Sequence, residues 1–424
     1  MNLSVALLKD RLVSALGADG VSADAELLGA HAVDGMRAKL LCRPASAAEV
    51  AAALRICAEA QAIAIPWGGG TAMTLGNAPR GADLIFDLKK LDRVIEHDPA
   101  NLTATLQCGM TLGAAQAALE MHRQFLPIDA PLPERATVGG IVAANLNGPR
   151  RNFHGGARDL VIGMKIALVN GELIKTGGKV VKNVAGYDMG KLFVGSLGTL
   201  GIITEITFRL APAPESAATL IASGSLSHLR QFAAELSRSS LLPAAVCLAN
   251  DREKPLWRAA VWCQGFEETV ARQRRDLASL ARLSGAAAEL LSLEKHHEFW
   301  STLRDFPLQG NRLVCRVTLP RAAIFACIQK FATWGAPAIV ADAAAGTVWL
   351  AYEPRRSVAE KFLELEAFAT SEGGHAVLFS APADLKRGIA VWGPSPPAIS
   401  LMREIKRQFD PDDILNPGRF LGGI

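Results

Sequence analysis

With 424 residues, half of them apolar, the chain exceeds the roughly 250–300 residues at which one hydrophobic core stops growing, so at least two domains are expected. Its 45 basic side chains barely outnumber its 41 acidic ones and no block of like charge stands out, which excludes a polybasic nucleic-acid patch. The seven cysteines (Cys42, Cys57, Cys108, Cys247, Cys263, Cys315, Cys327) are scattered, odd in number and form no CxxC pair, which excludes a disulfide framework and an iron–sulfur cluster in this chain and points to a reducing cytoplasm.

The opening MNLSVALLKDRLVSALG is broken by Lys9, Asp10 and Arg11, so it reads as a short amphipathic helix rather than a signal peptide. No apolar run approaches the length of a membrane span. Ser46-Ala47-Ala48-Glu49 is a capping-box pattern that starts a helix with Val50, Leu54, Ile56 and Cys57 on its core face. That helix feeds the apolar run AIAIPW, which ends in Pro66 and Trp67 and is followed by Gly68, Gly69, Gly70 and Thr71. Three residues without Cβ let the backbone take φ > 0 and gather its N–H groups into a nest for phosphate; the same triplet also makes a plain turn after a buried strand. Ala72 and Met73 stand where a P-loop would carry Lys and Ser/Thr, so ATP binding of that type is not expected.

Further along come strands at DLIFDL (Asp83 to Leu88) and LTATLQCG (Leu102 to Gly109), a helix near Thr111 to Met121, and a second glycine set in TVGGIVAANLNG (Thr137 to Gly148). A hairpin turns at Asn170-Gly171 between KIALV and ELIKT. Gly195, Gly198 and Gly201 are spaced GxxGxxG and lead into the β-branched run Gly201 to Phe208. That run reads as a strand, whereas the nicotinamide fingerprint requires a helix there. The texture changes after Leu210 at APAPES. A strand, helix, strand rhythm then repeats through ATLIASG, SHLRQFAAELSRS and AAVCLAN, and again through RLVCRVTLP, AAIFACIQKFATW and a strand pair around Ala345-Gly346. This predicts a ferredoxin-like domain, in one unit or two, before the helix ISLMREIKRQF and the tail NPGRF return to the first lobe.

Taken in order, PWGGGT, ATVGGIVAANLNGPRR, GARDLVIGMKIALVNGELIKTGG, KVVKNVAGYDMGKLFVGSLGTLGIITE and FDPDDILNPGRF resemble the FAD-linked oxidases of the vanillyl-alcohol-oxidase, or PCMH, type. GPRR, KNVAGYD, FWSTLRD, GGHAVLFSA and NPGRF extend the likeness over most of the chain to the family of FAD-binding subunits of bacterial glycolate oxidase. The resemblance implies an α+β protein: a PCMH-type FAD-binding domain over residues 1–212, a ferredoxin-like α+β cap over 213–395, and a segment 396–424 returning to the FAD domain. It also implies oxidation of a short 2-hydroxy acid such as glycolate or D-lactate, in the cytoplasm or at the inner membrane through partners: a second flavoprotein subunit and an iron–sulfur subunit. The FAD contacts it implies are Pro66, Trp67, Gly68, Gly69, Gly70, Thr71, Ala72, Thr137, Gly139, Gly140, Asn147, Arg158, Lys182, Gly198, Ile203 and Asn416. One feature departs from the related D-2-hydroxyacid dehydrogenases: nothing in residues 215–424 matches their HxGDGNLH-like motif.

Several side chains carry two readings. His154 either approaches flavin or substrate or is a local hydrogen-bonding residue of a glycine-rich loop. His375, after Gly373-Gly374, is a pocket candidate at a strand end. His296 and His297 lie on the helix LSLEKHHEFW and read as solvated. The histidines are too dispersed to make a metal site by spacing. Arg150, Arg151 and Arg158 suit a pyrophosphate or a substrate carboxylate held in a fork, or, for Arg158, an ion pair with Asp159. Lys182 and Tyr187 suit orientation of the flavin ring. The glycine loop offers no His or Cys for covalent attachment, so FAD is expected to be held non-covalently. The candidate catalytic residues are His375, Tyr187 and Arg151. Two functions stay open: a 2-hydroxy-acid oxidoreductase subunit, or an FAD-binding structural or electron-relay subunit whose partner carries turnover, with a stand-alone FAD-linked oxidase as a third.

Overall fold

A computed structural model describes residues 4–178, 188–251, 256–310 and 312–424. They fall into two compact units, one of residues 1–146, 156–212 and 394–424, the other of residues 147–155 and 213–393. The expected cut near residue 212 therefore misses one short segment, 147–155, which belongs to the second unit.

In the first unit the strands Leu40–Cys42, Leu84–Asp87 and Ala64–Trp67 run parallel. Leu40–Cys42 and Leu84–Asp87 are buried throughout, the pattern of strands covered on both faces. Pro66 is on the outer strand of this sheet, where its missing N–H is tolerated. That edge receives the tail: the Ala64 N–H donates to the Ile414 carbonyl at 2.9 Å, and Asn416 N–H donates back to the Ala64 carbonyl at 2.9 Å. The helix Ala47–Ala60 is capped as its sequence predicts. Ser46 Oγ accepts from the Glu49 N–H, while the Glu49 carboxylate accepts from Ala45 N–H, one residue earlier than in the standard box. An antiparallel sheet of five strands, in the order Val94–Asp98, Thr103–Gln107, Ile202–Arg209, Val161–Ala167, Leu173–Gly177, completes the unit. The run after Gly201 is thus a strand. The Asn170-Gly171 hairpin turns through a longer loop than two residues, closed by Leu168 N–H to the Glu172 carbonyl.

The second unit is one eight-stranded antiparallel sheet. Its first half, Ser216–Gly224, Ala245–Asn250, Trp257–Gly265 and Ala287–Leu290, alternates with helices Leu226–Arg238 and Glu267–Leu283. The second half repeats the scheme in Leu313–Thr318, Ala338–Asp342, Thr347–Tyr352 and His375–Ser380, with helices Ile324–Phe331 and Arg356–Ser371. Each half has the βαββαβ order and the 4-1-3-2 strand arrangement of a ferredoxin-like unit, and the halves join where Ala245–Asn250 pairs with Ala338–Asp342. Strand periodicity assigns the faces. Leu220, Val261, Leu248, Ile339, Leu350, Cys315 and Leu378 meet the helices in one core. Their neighbours Thr219, Trp262, Cys247, Asp342, Trp349, Arg316 and Phe379 point the other way. No helix among the described residues is long and apolar enough to cross a membrane.

Candidate active site

Where strand Ala64–Trp67 ends, the backbone of residues 135–137 lies directly against the loop. A Cβ at Gly69 would run into the Arg135 carbonyl. Gly70 has φ +71° and covers the Trp67 indole so closely that a Cβ there would lie 2.7 Å from the ring. Only glycine meets both demands. The result is a succession of four backbone N–H groups, Gly69 to Ala72, that donate to no acceptor among the described residues. Such a row of donors suits a ligand with anionic oxygens.

Three distant segments wall this loop. Thr137 caps the helix Val138–Ala144, its Oγ1 accepting from Gly140 N–H at 3.3 Å, and Gly139 is pinned to the Cys108 carbonyl. Leu197 to Ile203 leads into the central strand of the five-stranded sheet. From the tail, Asn416 donates its amide to the Leu197 carbonyl at 2.7 Å. The fully buried Arg419 donates to the carbonyls of Met73, Leu75 and Asn77 and faces Asp34 at 3.4 Å. Burial lowers the Arg419 pKa to about 10 against the opposing pull of Asp34. Together they line a partly open cavity of about 90 Å³.

The cavity brings together Pro66, Trp67, Gly68, Gly69, Gly70, Thr71, Ala72, Thr137, Gly139, Gly140, Gly198, Ile203 and Asn416 from the expected set. It adds Met73, Cys108, Leu197, Ile202 and Arg419, which the motifs did not single out. Cys108 is the one thiol on the wall, and burial raises its pKa to about 12. Arg419 had a visible signal, the arginine of NPGRF, but that motif alone assigns it no role.

Other expected residues go elsewhere. Arg158 is exposed on the short helix Ala157–Leu160 and does not line the cavity; Asp159 accepts the Gly156 N–H at 2.9 Å. Asn147, Arg150, Arg151 and His154 belong to the second unit. There Arg150 stacks over Trp262 at 4.4 Å and reaches Gln264, which also meets His154. Lys182 and Tyr187 lie outside the described residues. His375 is exposed at the start of its strand, opposite Thr318; partial desolvation and then the Arg316 charge lower its pKa. His296 corrects the reading of a solvated pair. It is 2 % exposed, its Nδ1 lies 2.6 Å from Thr219 Oγ1, and burial followed by the neighbouring His297 and Arg150 lowers its pKa to about 4. Trp300, one helical turn on, donates to the same hydroxyl, and the spacing His296/Trp300 was the signal available for a buried face.

The sequence pattern described as "FAD binding domain" matches residues 38–177, and that of "FAD linked oxidases, C-terminal domain" matches residues 392–420. The glycolate oxidase subunit GlcE of Escherichia coli (strain K12) is 32 % identical over 362 residues, covering 83 % of this chain and 91 % of that protein. The chain belongs to the FAD-linked oxidase family. Its members similar to it include the glycolate oxidase subunit GlcD of Bacillus subtilis (strain 168), 28 % identical over 89 % of this chain and 87 % of that one. Among solved structures, p-cresol methylhydroxylase with substrate bound superposes with a TM-score of 0.78 over 98 % of this chain and 96 % of that one, at 16 % identity, which establishes the shared PCMH-type fold. As a member of this FAD-linked oxidase family the chain is an FAD-dependent oxidoreductase related to glycolate oxidase subunits.

Proposed function

We propose that this chain is the FAD-binding subunit of a glycolate-oxidase-like dehydrogenase that converts a short 2-hydroxy acid to the 2-oxo acid with a second flavoprotein subunit and an iron–sulfur subunit. The observation that carries this reading is the row of free N–H groups at Gly69 to Ala72 inside a cavity closed by Thr137, Gly198 and Asn416. These residues fit the FAD pyrophosphate: the donors are backbone, preorganised, and need no side chain that competes for the space. FAD supplies a two-electron acceptor for the C2 hydride of the substrate.

The remaining work falls to the chain's own residues. The 68–72 loop and Thr137 bind phosphate oxygens, Trp67 supports the loop from beneath, and Arg419 and Asn416 hold loop and wall in place. His375, with its pKa below the ordinary value, is the proposed acceptor of the substrate hydroxyl proton, a job for a neutral imidazole. Among the described residues the cavity wall offers no histidine, and Cys108, its one thiol there, is held protonated by burial, which supports non-covalent attachment. All seven cysteines are buried and outside any disulfide, and the proposed exit for electrons is the partner subunits.

The test mixes the purified chain anaerobically with glycolate and with D-lactate, first alone and then with the partner subunits, while flavin absorbance and dye reduction are followed. Slow or absent reduction alone, turnover with partners, loss of that turnover in His375→Ala, and release of all flavin on acid precipitation are the expected results. Fast steady-state turnover by the lone chain overturns the subunit reading, and flavin retained in the pellet overturns non-covalent binding.

A further inference from the structure

Arg316 is at the middle of strand Leu313–Thr318, on the sheet face opposite the helices Leu226–Arg238, Glu267–Leu283, Ile324–Phe331 and Arg356–Ser371. Strand alternation makes this an odd place for a guanidinium, since its strand neighbours Val314 and Val317 are buried apolar residues. Its Nε is shut off from solvent with no hydrogen-bond partner, and its guanidinium makes no ion pair among the described residues. A guanidinium without an acceptor is an unmet demand, because its donors are fixed in a planar fork and it stays charged. The rings of Trp349 and Phe379, packed edge-to-face with centroids 4.9 Å apart, lie together beside it, at 5.9 and 5.8 Å from the guanidinium carbon. Both come from the strands paired on either side. They hold the cation by their faces without using its N–H groups.

The charge acting on Arg316 among the described residues is positive. Arg151, from the segment 147–155, acts electrostatically on Arg316 and, after burial, lowers its pKa to about 10. Asp342, the carboxyl that faces Arg151 electrostatically, is also engaged by backbone: its Oδ1 accepts the Ala344 and Ala345 N–H groups at 3.0 and 2.9 Å. Burial raises the Asp342 pKa to about 7, so it supplies less than a full counter-charge near neutrality. No cluster of three His, Cys, Asp or Glu side chains able to hold a metal occurs among the described residues.

We infer that Arg316, set beside the Trp349–Phe379 ring pair and reinforced by Arg151, is a carboxylate receptor, taking a small 2-oxygenated carboxylate of the 2-hydroxy-acid class in its fork. The inference rests on the proposed function for the identity of the acid, and on the unpartnered guanidinium for the site. A bidentate carboxylate satisfies the planar fork as a lone halide does not.

The experiment uses the FAD-loaded full chain. Oxalate and glycolate are titrated by calorimetry and by intrinsic tryptophan fluorescence, with glycolamide as the neutral analogue and sulfate as the inorganic anion. Oxalate binding is expected to fall at least tenfold in Arg316→Gln and by a smaller factor in Arg151→Gln, with bound FAD unchanged in both. The fluorescence response is expected to vanish in Trp349→Phe while the calorimetric response persists. If Arg316→Gln fails to fold, Arg316→Lys carries the test, since it keeps the charge and loses the fork. Unchanged oxalate affinity in Arg316→Lys, or no oxalate binding by the wild type, overturns the proposal. Sulfate or glycolamide competing as well as oxalate overturns the carboxylate assignment. The two readings fail separately: oxalate bound through Arg316 by a chain that oxidises no 2-hydroxy acid with any partner keeps the site and loses the function. Flavin reduction by 2-hydroxy acids that is equal in wild type and Arg316→Gln keeps the function and loses the site.

Discussion

The two units solve recognition with opposite materials. In the first, the cavity is made from backbone: glycines at positions where a Cβ has no room, N–H groups without acceptors, and carbonyls held by a tail. In the second, the proposed recognition rests on long side chains at a regular sheet face: Arg316, Trp349, Phe379 and Trp262 are set by strand pairing, and Arg150 stacks over Trp262 from segment 147–155. A backbone site tolerates little change in sequence and reads every phosphate alike. A side-chain site can be redrawn one residue at a time on an unchanged sheet.

The largest effect that would break this contrast is expected at Gly69→Val. The clash is with the Arg135 carbonyl of the protein itself, so the loop must shift and stability falls along with FAD affinity, by about 1–3 kcal/mol or more for forced overpacking. Loss of most bound FAD, read from the flavin-to-protein absorbance ratio, is expected while oxalate binding persists. Stoichiometric FAD at normal affinity would show that the loop is only a turn.

Next in size is Arg419→Met. It strands three carbonyl oxygens and takes the Arg419 cation away from Asp34, itself 3 % exposed. Breaking one partner of a buried pair costs about 3–5 kcal/mol. A thermal melt is expected to show a clear drop in the transition of the flavin-bearing unit, with FAD weakened beyond what that drop explains. A melt matching the wild type would remove the tail from the site.

The smallest effect concerns acid. His296 has a folded-state pKa near 4 against an ordinary value of 6.5, so the unfolded chain binds the extra proton first. Its contribution is present above about pH 6.5 and is lost as pH falls toward 4. His296→Asn is expected to flatten the acid limb of stability between those values, measured as melting temperature against pH, relative to wild type. An acid limb identical in slope to the wild type would mean that His296 is not buried neutral.

The same contrast explains what the sequence disclosed. Glycine triplets, a Thr-capped TVGG turn and the GTLGIIT run are local statements, since a missing Cβ and a cap are properties of three or four neighbouring residues. They were readable without knowing where the chain goes next. Arg316 was not. In RLVCRVTLP it is one more polar residue of an alternating strand. Its meaning comes from Trp349 and Phe379, set beside it by hydrogen bonds to strands far along the chain. Arg150 and Arg151 were drawn toward the cofactor because they follow a glycine-rich segment, yet nine residues there leave the first unit altogether. His296 looked solvated because its neighbours Lys295, His297 and Glu298 are polar, while the helix buries only the His296/Trp300 stripe.

The hold of Arg419 on the Met73–Asn77 loop joins residues 346 positions apart, and this has a consequence for how the protein is made. At roughly 5–20 residues per second of translation, the glycine loop leaves the ribosome roughly 17–70 s before the arginine that secures it. During that interval the parallel strand Ala64–Trp67 has an open edge where Ile414 and Asn416 will pair. Until the tail has been synthesised, the cavity lacks the part of its wall that Asn416 and Arg419 supply.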